Sequence, residues 1–116
     1  MKSYRVNNIG FRVEHDTLHI VKYYKNPYFG NYDKMIEEGW EASSNGLHRG
    51  RITIDNSCFE NPERCYTVAI LELDEEEYTT NLRTVGCRVL ALNKKERSDF
   101  FKVYKKAHKY LINLKQ

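Results

Sequence analysis

The sequence predicts an α+β fold: one antiparallel sheet of about four to six strands with two helices packed on one face, in the order β-β-α-β-β-β-α. Three observations predict it. Residues 65–73, CYTVAILEL, are apolar on both strand faces, as a central strand is. Asn93 and Glu96 open a stretch in which Phe100, Val103, Tyr104, Ala107, Leu111 and Leu114 recur at spacings of three and four, the period of an amphipathic helix. The chain has 116 residues, 41% hydrophobic, with no repeat and no low-complexity linker, so residues 1–116 read as a single domain with one modest core.

The elements follow in order. YRVNNIGFRV (4–13) and TLHIVKYY (17–24) read as strands, joined by Glu14-His15-Asp16 as a hairpin turn. Pro27, Gly30 and Asn31 end the second strand. Asn31 or Asp33 can then cap a helix to about Ser44, with Tyr32, Met35, Ile36 and Trp40 on one face and Gly46 in a left-handed closing position. Strands at 50–55 and 65–73 flank a polar loop. In the second, Tyr66, Val68, Ile70 and Glu72 share one face, and Thr67, Ala69, Leu71 and Leu73 the other. Residues 74–85 read as a polar connection, CRVLAL (87–92) as a further strand, and 96–113 as the long helix across one face of the sheet.

No apolar run approaches the roughly 20 residues of a membrane span, and MKSYRVNNIGF has no signal-peptide core. Three cysteines, Cys58, Cys65 and Cys87, form no CxxC motif and suit a reducing compartment, so a cytoplasmic location is expected. A Cys58–Cys65 bridge is the less favoured alternative. The net charge of +3 is unevenly spread: residues 94–116 carry eight bases and two acids, or +6, which leaves –3 on the rest. A basic helix on an acidic body is most simply a solvated amphipathic face. Its alternative is a partner or nucleic-acid surface through Lys102, Lys105, Lys106 and Lys109.

No phosphate loop, zinc signature or nucleophile elbow is present. His15, His19, His48 and His108 lie on separate elements, where a histidine is most often a hydrogen-bonded surface residue. No catalytic residue, metal site or cofactor is assigned, and the reading leans away from an enzyme. Glu72, among apolar neighbours, either reaches water at a strand end beside an arginine such as Arg88 or sits in an aromatic-walled pocket. Tyr23, Tyr24, Tyr28, Phe29, Tyr32 and Trp40 divide between core and the rim of a cleft or interface.

ITIDNSCFENPERCYTVAILEL, with Asp55-Asn56 opening the loop and Pro62-Glu63, Cys65 and Tyr66 closing it, resembles the gyrase-inhibitor-like small-molecule-binding family. Upstream, KNPYFGNYDKMIEEGWEAS is similar to that family's turn and first helix; downstream, TVGCRVLALNKKERSDFFKVYKKAHKYL looks like the start of its second module. The resemblance covers roughly residues 17–112. It departs from the family in a short first helix, in Ser57 after Asn56, and in lacking the two strands that close the second module. The resemblance implies a ligand groove formed or edged by Tyr24, Trp40, Tyr66 and Glu72, accepting a small amphipathic or cationic ligand.

Two function classes follow. One is a non-enzymatic ligand-binding or modulator protein. The other is a small phage or mobile-element protein that binds and inhibits a host nucleic-acid enzyme or defence protein. Nucleic acid is a less favoured partner, no membrane is expected, and either the extra N-terminal strand or a second subunit in a homodimer would supply the missing strands.

Overall fold

At the N-terminus the apolar alternation changes phase, from Tyr4 and Val6 on even positions to Ile9, Phe11 and Val13 on odd ones. A computed structural model, describing residues 3–14, 17–74, 76–77 and 79–114, explains the change. The first expected strand is two: β1 (Ser3–Val6) and β2 (Ile9–Glu14), paired antiparallel with Val6 opposite Ile9. Asn7 makes the tight turn with φ of 54°, a left-handed conformation that asparagine tolerates better than most residues. β3 (Thr17–Lys25) pairs with β2, Glu14 opposite Thr17; the turn residues His15 and Asp16 lie outside the described residues.

The chain divides into two compact units, Met1–Tyr23 with Cys65–Gln116, and Tyr24–Arg64. The first contains most of a five-stranded sheet in the order β1-β2-β3-β7-β8, where β7 is Glu63–Asp74 and β8 is Thr79–Thr84. The pairs β1–β2, β2–β3 and β7–β8 are antiparallel. Bonds from Asn26 to Pro62 and between His19 and Thr67 run in opposite chain directions, so β3 and β7 are antiparallel too. The expected strand count and antiparallel α+β class are met in this sheet; a second sheet and three helices were not expected.

Two segments of this unit differ from expectation. Residues 79–84 are not a loop but β8, an edge strand of Thr, Asn, Leu and Arg whose pairing runs from Ala69↔Thr84 to Asp74↔Thr79. Residues 86–90 are not a strand but a short helix, α2 (Gly86–Leu90). A run as short as CRVLAL cannot distinguish the two periods, and here it turns the chain into α3 (Lys94–Leu114). That helix begins as expected: Asn93 N–H donates to Glu96 Oε1 at 3.0 Å, and Glu96 N–H donates to Asn93 Oδ1 at 2.8 Å. Val103, Ala107 and Leu111 of α3 pack with Ile9, Phe11, Leu18, Ile20 and Leu71 in one apolar core.

The Tyr24–Arg64 unit is built on a three-stranded antiparallel sheet, β4 (Glu41–Ala42), β5 (Gly46–Arg49) and β6 (Ile52–Asp55). The expected helix to Ser44 is only α1 (Tyr32–Glu37), stopped by Gly39 at φ of 106°. Trp40 is therefore not on a helix, and Gly46 starts β5 rather than closing the helix. A Cβ at Gly46 would lie 2.0 Å from Ile54 O, so the strands approach too closely for any other residue. The polar loop after β6 is a 3-10 turn, Asn56–Phe59, whose first free amide, Ser57 N–H, donates to Asp55 Oδ1 at 2.9 Å. Buried Asn26 donates to Asn61 O at 2.7 Å and also to Cys58 O, which gives the loop its fixed shape. Asn56 Nδ2 donates to Ser44 O at 3.0 Å, so the side chains of Asp55 and Asn56 are both engaged in shaping the loop, whereas Asn61 contributes its backbone carbonyl. Strands β6 and β7, which flank the loop, belong to different sheets.

Candidate functional site

Four contacts identify the sheet face that carries α3. Phe11 and Tyr110 rings lie 5.9 Å apart, Lys22 Nζ is 3.0 Å from Glu96 Oε2, Lys106 stands over the Tyr4 ring, and Thr80 Oγ1 is 2.8 Å from His108 Nδ1. Since Leu73 pairs with Thr80, the odd residues Leu71 and Leu73 face the helix. Earlier in the same strand the phase is reversed. Thr67 meets His19, which alternation places on the face opposite Leu18 and Ile20, so Tyr66 and Val68 point to the helix side. Val68 and Ala69 are adjacent and both wholly buried in the same core, marking a one-residue slip in β7. Tyr66 and Glu72 consequently lie on opposite faces, and strict alternation does not join them.

Glu72, 40% exposed, is paired with Arg83 of β8 across the outer face. The arginine is Arg83 rather than Arg88. Arg88 instead stacks 5.2 Å above the Tyr66 ring and donates to Thr67 O at 2.8 Å. Tyr24 and Trp40 belong to the Tyr24–Arg64 unit, where Arg49 sits 5.8 Å over the Trp40 ring. The four residues of the expected groove thus divide two and two between the units.

Other polar clusters are local. On the outer sheet face Arg12 reaches Cys65 Sγ at 3.7 Å, and the bond to sulfur raises the guanidinium's pKa. In the small sheet His48 contacts Ser43 Oγ and, at 3.0 Å, Thr53 Oγ1. Ser43 Oγ also accepts the Asn45 amide, so its hydroxyl shapes the β4–β5 turn. All three cysteines are free thiols. Among the described residues no group of His, Cys, Asp or Glu is placed to hold a metal ion, and no helix is long and apolar enough to cross a membrane.

Sequence reasoning placed Lys102, Lys105, Lys106 and Lys109 on one surface, and all four are exposed on α3. It missed the fate of the helix's acids. Glu96 and Asp99 are the only two between Lys94 and Leu114, and both are buried. Burial alone would push the Glu96 carboxyl up. The Asn93 amide and the Lys22 ammonium outweigh burial and the nearby Asp99, and hold it below its ordinary value. Asp99 accepts from Asn7 Nδ2 at 3.1 Å. Every lysine and arginine of α3 is exposed, so its solvent face is positive without interruption. The signal was available: Glu96 and Asp99 fall three residues apart, in phase with Val103.

At the turn from α2 into α3 a cleft of about 230 Å³ opens, lined by Val89, Leu90, Leu92, Arg97, Phe100 and Phe101. A second hollow of about 250 Å³ is lined by Lys106, Lys109, Tyr110 and Asn113. The first is apolar with one charge; the second has two lysines and an asparagine beside Tyr110 in its lining. Both lie along the basic helix.

Comparison of the chain with protein-family models, with curated proteins and with solved structures finds no match.

Proposed function

We propose that this is a non-enzymatic interaction protein that modulates another protein through the solvent face of α3. The observation that carries the reading is the burial of both acids of that helix while all its bases remain exposed. Such a face has a uniformly positive field, which accelerates encounter with an acidic partner and selects against basic ones. The exposed apolar side chains beside it, Leu90 and Phe101, supply contact area that a purely electrostatic surface lacks. This lies closer to the second class expected from the sequence, a protein that binds and inhibits another, than to the ligand-binding class expected first. Blocking a host nucleic-acid enzyme or a defence protein is one form it could take.

The small-molecule reading that follows from the gyrase-inhibitor-like resemblance has weaker support, because Glu72 already has Arg83 and Tyr66 faces the other way. Nucleic acid uses the same positive charge and is separated by experiment. Fluorescence anisotropy at about 0.15 M salt should show binding of a labelled polyglutamate peptide, lost in a Lys102→Glu, Lys105→Glu double variant. Equal binding by parent and double variant would count against the α3 face. Tighter binding to a single-stranded oligonucleotide, with a salt slope reduced by about two in Lys105→Ala, Lys106→Ala, would assign the face to nucleic acid.

A further inference from the structure

We propose that the cleft between α2 and α3 is the docking site for an acidic protein segment, one apolar side chain of which seats against Leu90 and Phe101. The inference rests on the reading of α3 as an interaction face and names the chemistry of the partner.

The cleft has a fixed floor and an open rim. Leu92, 3% exposed, belongs to the core, and Val89 and Phe100 pack against it. Leu90 and Phe101 line the same cleft yet are 76% and 64% exposed. A lone surface leucine or phenylalanine is ordinary, but two converging on one apolar hollow form a concave patch of the kind that anchors a partner's side chain. Its size argues in the same direction. About 230 Å³ falls below the roughly 300–1,000 Å³ of pockets that enclose small molecules, but holds one large side chain.

Charge selects the rest of the occupant. Among the described residues Arg97 is the only charged side chain lining the cleft, and its guanidinium can take a carboxylate in two parallel hydrogen bonds. Beyond it the exposed face of α3 carries bases and no acid, since Glu96 and Asp99 are turned into the protein and satisfied there by Lys22 and Asn7. A partner segment with carboxylates flanking an apolar residue complements both features. Single-stranded nucleic acid would match the charge, but the recess between Val89, Leu90 and Leu92 is aliphatic, and Phe101 at its rim is the one well-exposed ring among the described lining residues, short of the successive rings on which a strand stacks its bases.

The test uses the full chain and two labelled acidic peptides of equal charge, one with a central Phe-Leu pair and one with Ser-Ser in its place. Anisotropy should give at least about tenfold tighter binding of the Phe-Leu peptide, the worth of burying one large apolar side chain. Leu90→Ser and Phe101→Ser should each abolish most of that preference while leaving the melting curve unchanged. Lys102→Glu with Lys105→Glu should weaken both peptides alike. Equal affinity of the parent for the two peptides would overturn the cleft inference and leave the α3 face standing; failure to bind either would overturn both. Preference for an oligonucleotide of equal charge, or self-association in sedimentation that Leu90→Ser dissolves, would give the cleft to a different occupant and overturn the inference as well.

Discussion

Lys22 Nζ lies 3.0 Å from Glu96 Oε2, tying a residue of β3 to the first turn of α3, with the lysine side chain 20% exposed and the glutamate 8%. Glu96 also closes the helix cap with Asn93, so one carboxylate serves the helix start and its attachment to the sheet.

This pair sets an acid limit on stability. The folded Glu96 carboxyl is held below its ordinary value of 4.5, and a carboxyl lowered by folding contributes stability above its unfolded pKa. That contribution is lost as pH falls through the folded value, so the urea midpoint should drop below about pH 4.5. Lys22→Met removes one cause of the lowering and should flatten that part of the profile. Identical pH profiles for parent and variant would refute the coupling.

The helix register makes a paired prediction. Val103 is wholly buried and Phe101 is 64% exposed. Val103→Asp should cost about 3 kcal/mol or more by burying an unpaired charge, whereas Phe101→Asp should stay within about 1 kcal/mol in thermal melts. Equal cost at both positions would refute the register.

Asn7 combines a left-handed turn with a bond to buried Asp99. Two substitutions separate these contributions. Asn7→Gly keeps the turn and removes the bond, and should cost about 1–3 kcal/mol because a buried carboxylate loses a donor. Asn7→Ala adds backbone strain of about 1 kcal/mol. If denaturant midpoints put the glycine variant level with the parent, the Asn7–Asp99 bond contributes nothing.

The sequence revealed α3, because a capping box and an unbroken 3.6-residue stripe are local signals that tertiary context seldom reverses, and it revealed β3, β6 and β7 as strands, though not that β6 lies in a second sheet. Where two periods meet, it misled. The phase jump from Val6 to Ile9 was visible and marks the β1–β2 turn, but the slip at Val68-Ala69 was hidden, since every residue from Val68 to Leu71 is apolar. β8 was missed because an edge strand of Thr and Asn has no apolar alternation to display. α2 was misread because Val89 and Leu90 suit either structure. Of the candidate site, the lysines were legible as charge. The cleft was not, since it depends on CRVLAL being a helix that leaves Leu90 exposed and buries Leu92.

Leu71 and Glu72 are neighbours in β7 with opposite fates, and they give the last prediction. Leu71 is wholly buried against the α3 core, so Leu71→Ala should cost about 2–5 kcal/mol through the cavity it leaves. Glu72 is 40% exposed and Arg83 66%, and an ion pair this open contributes no more than about 1 kcal/mol once solvent screening is allowed for. Glu72→Gln should therefore keep the fold and melt within a few degrees of the parent. The same variant bears on the ligand groove. With its carboxylate engaged by Arg83 and Tyr66 on the other face, Glu72 should not govern binding of cationic aromatic dyes. Calorimetry with a dye panel checks this: a dye that binds the parent and is lost in Glu72→Gln would restore the gyrase-inhibitor-like groove, and equal isotherms would count against it.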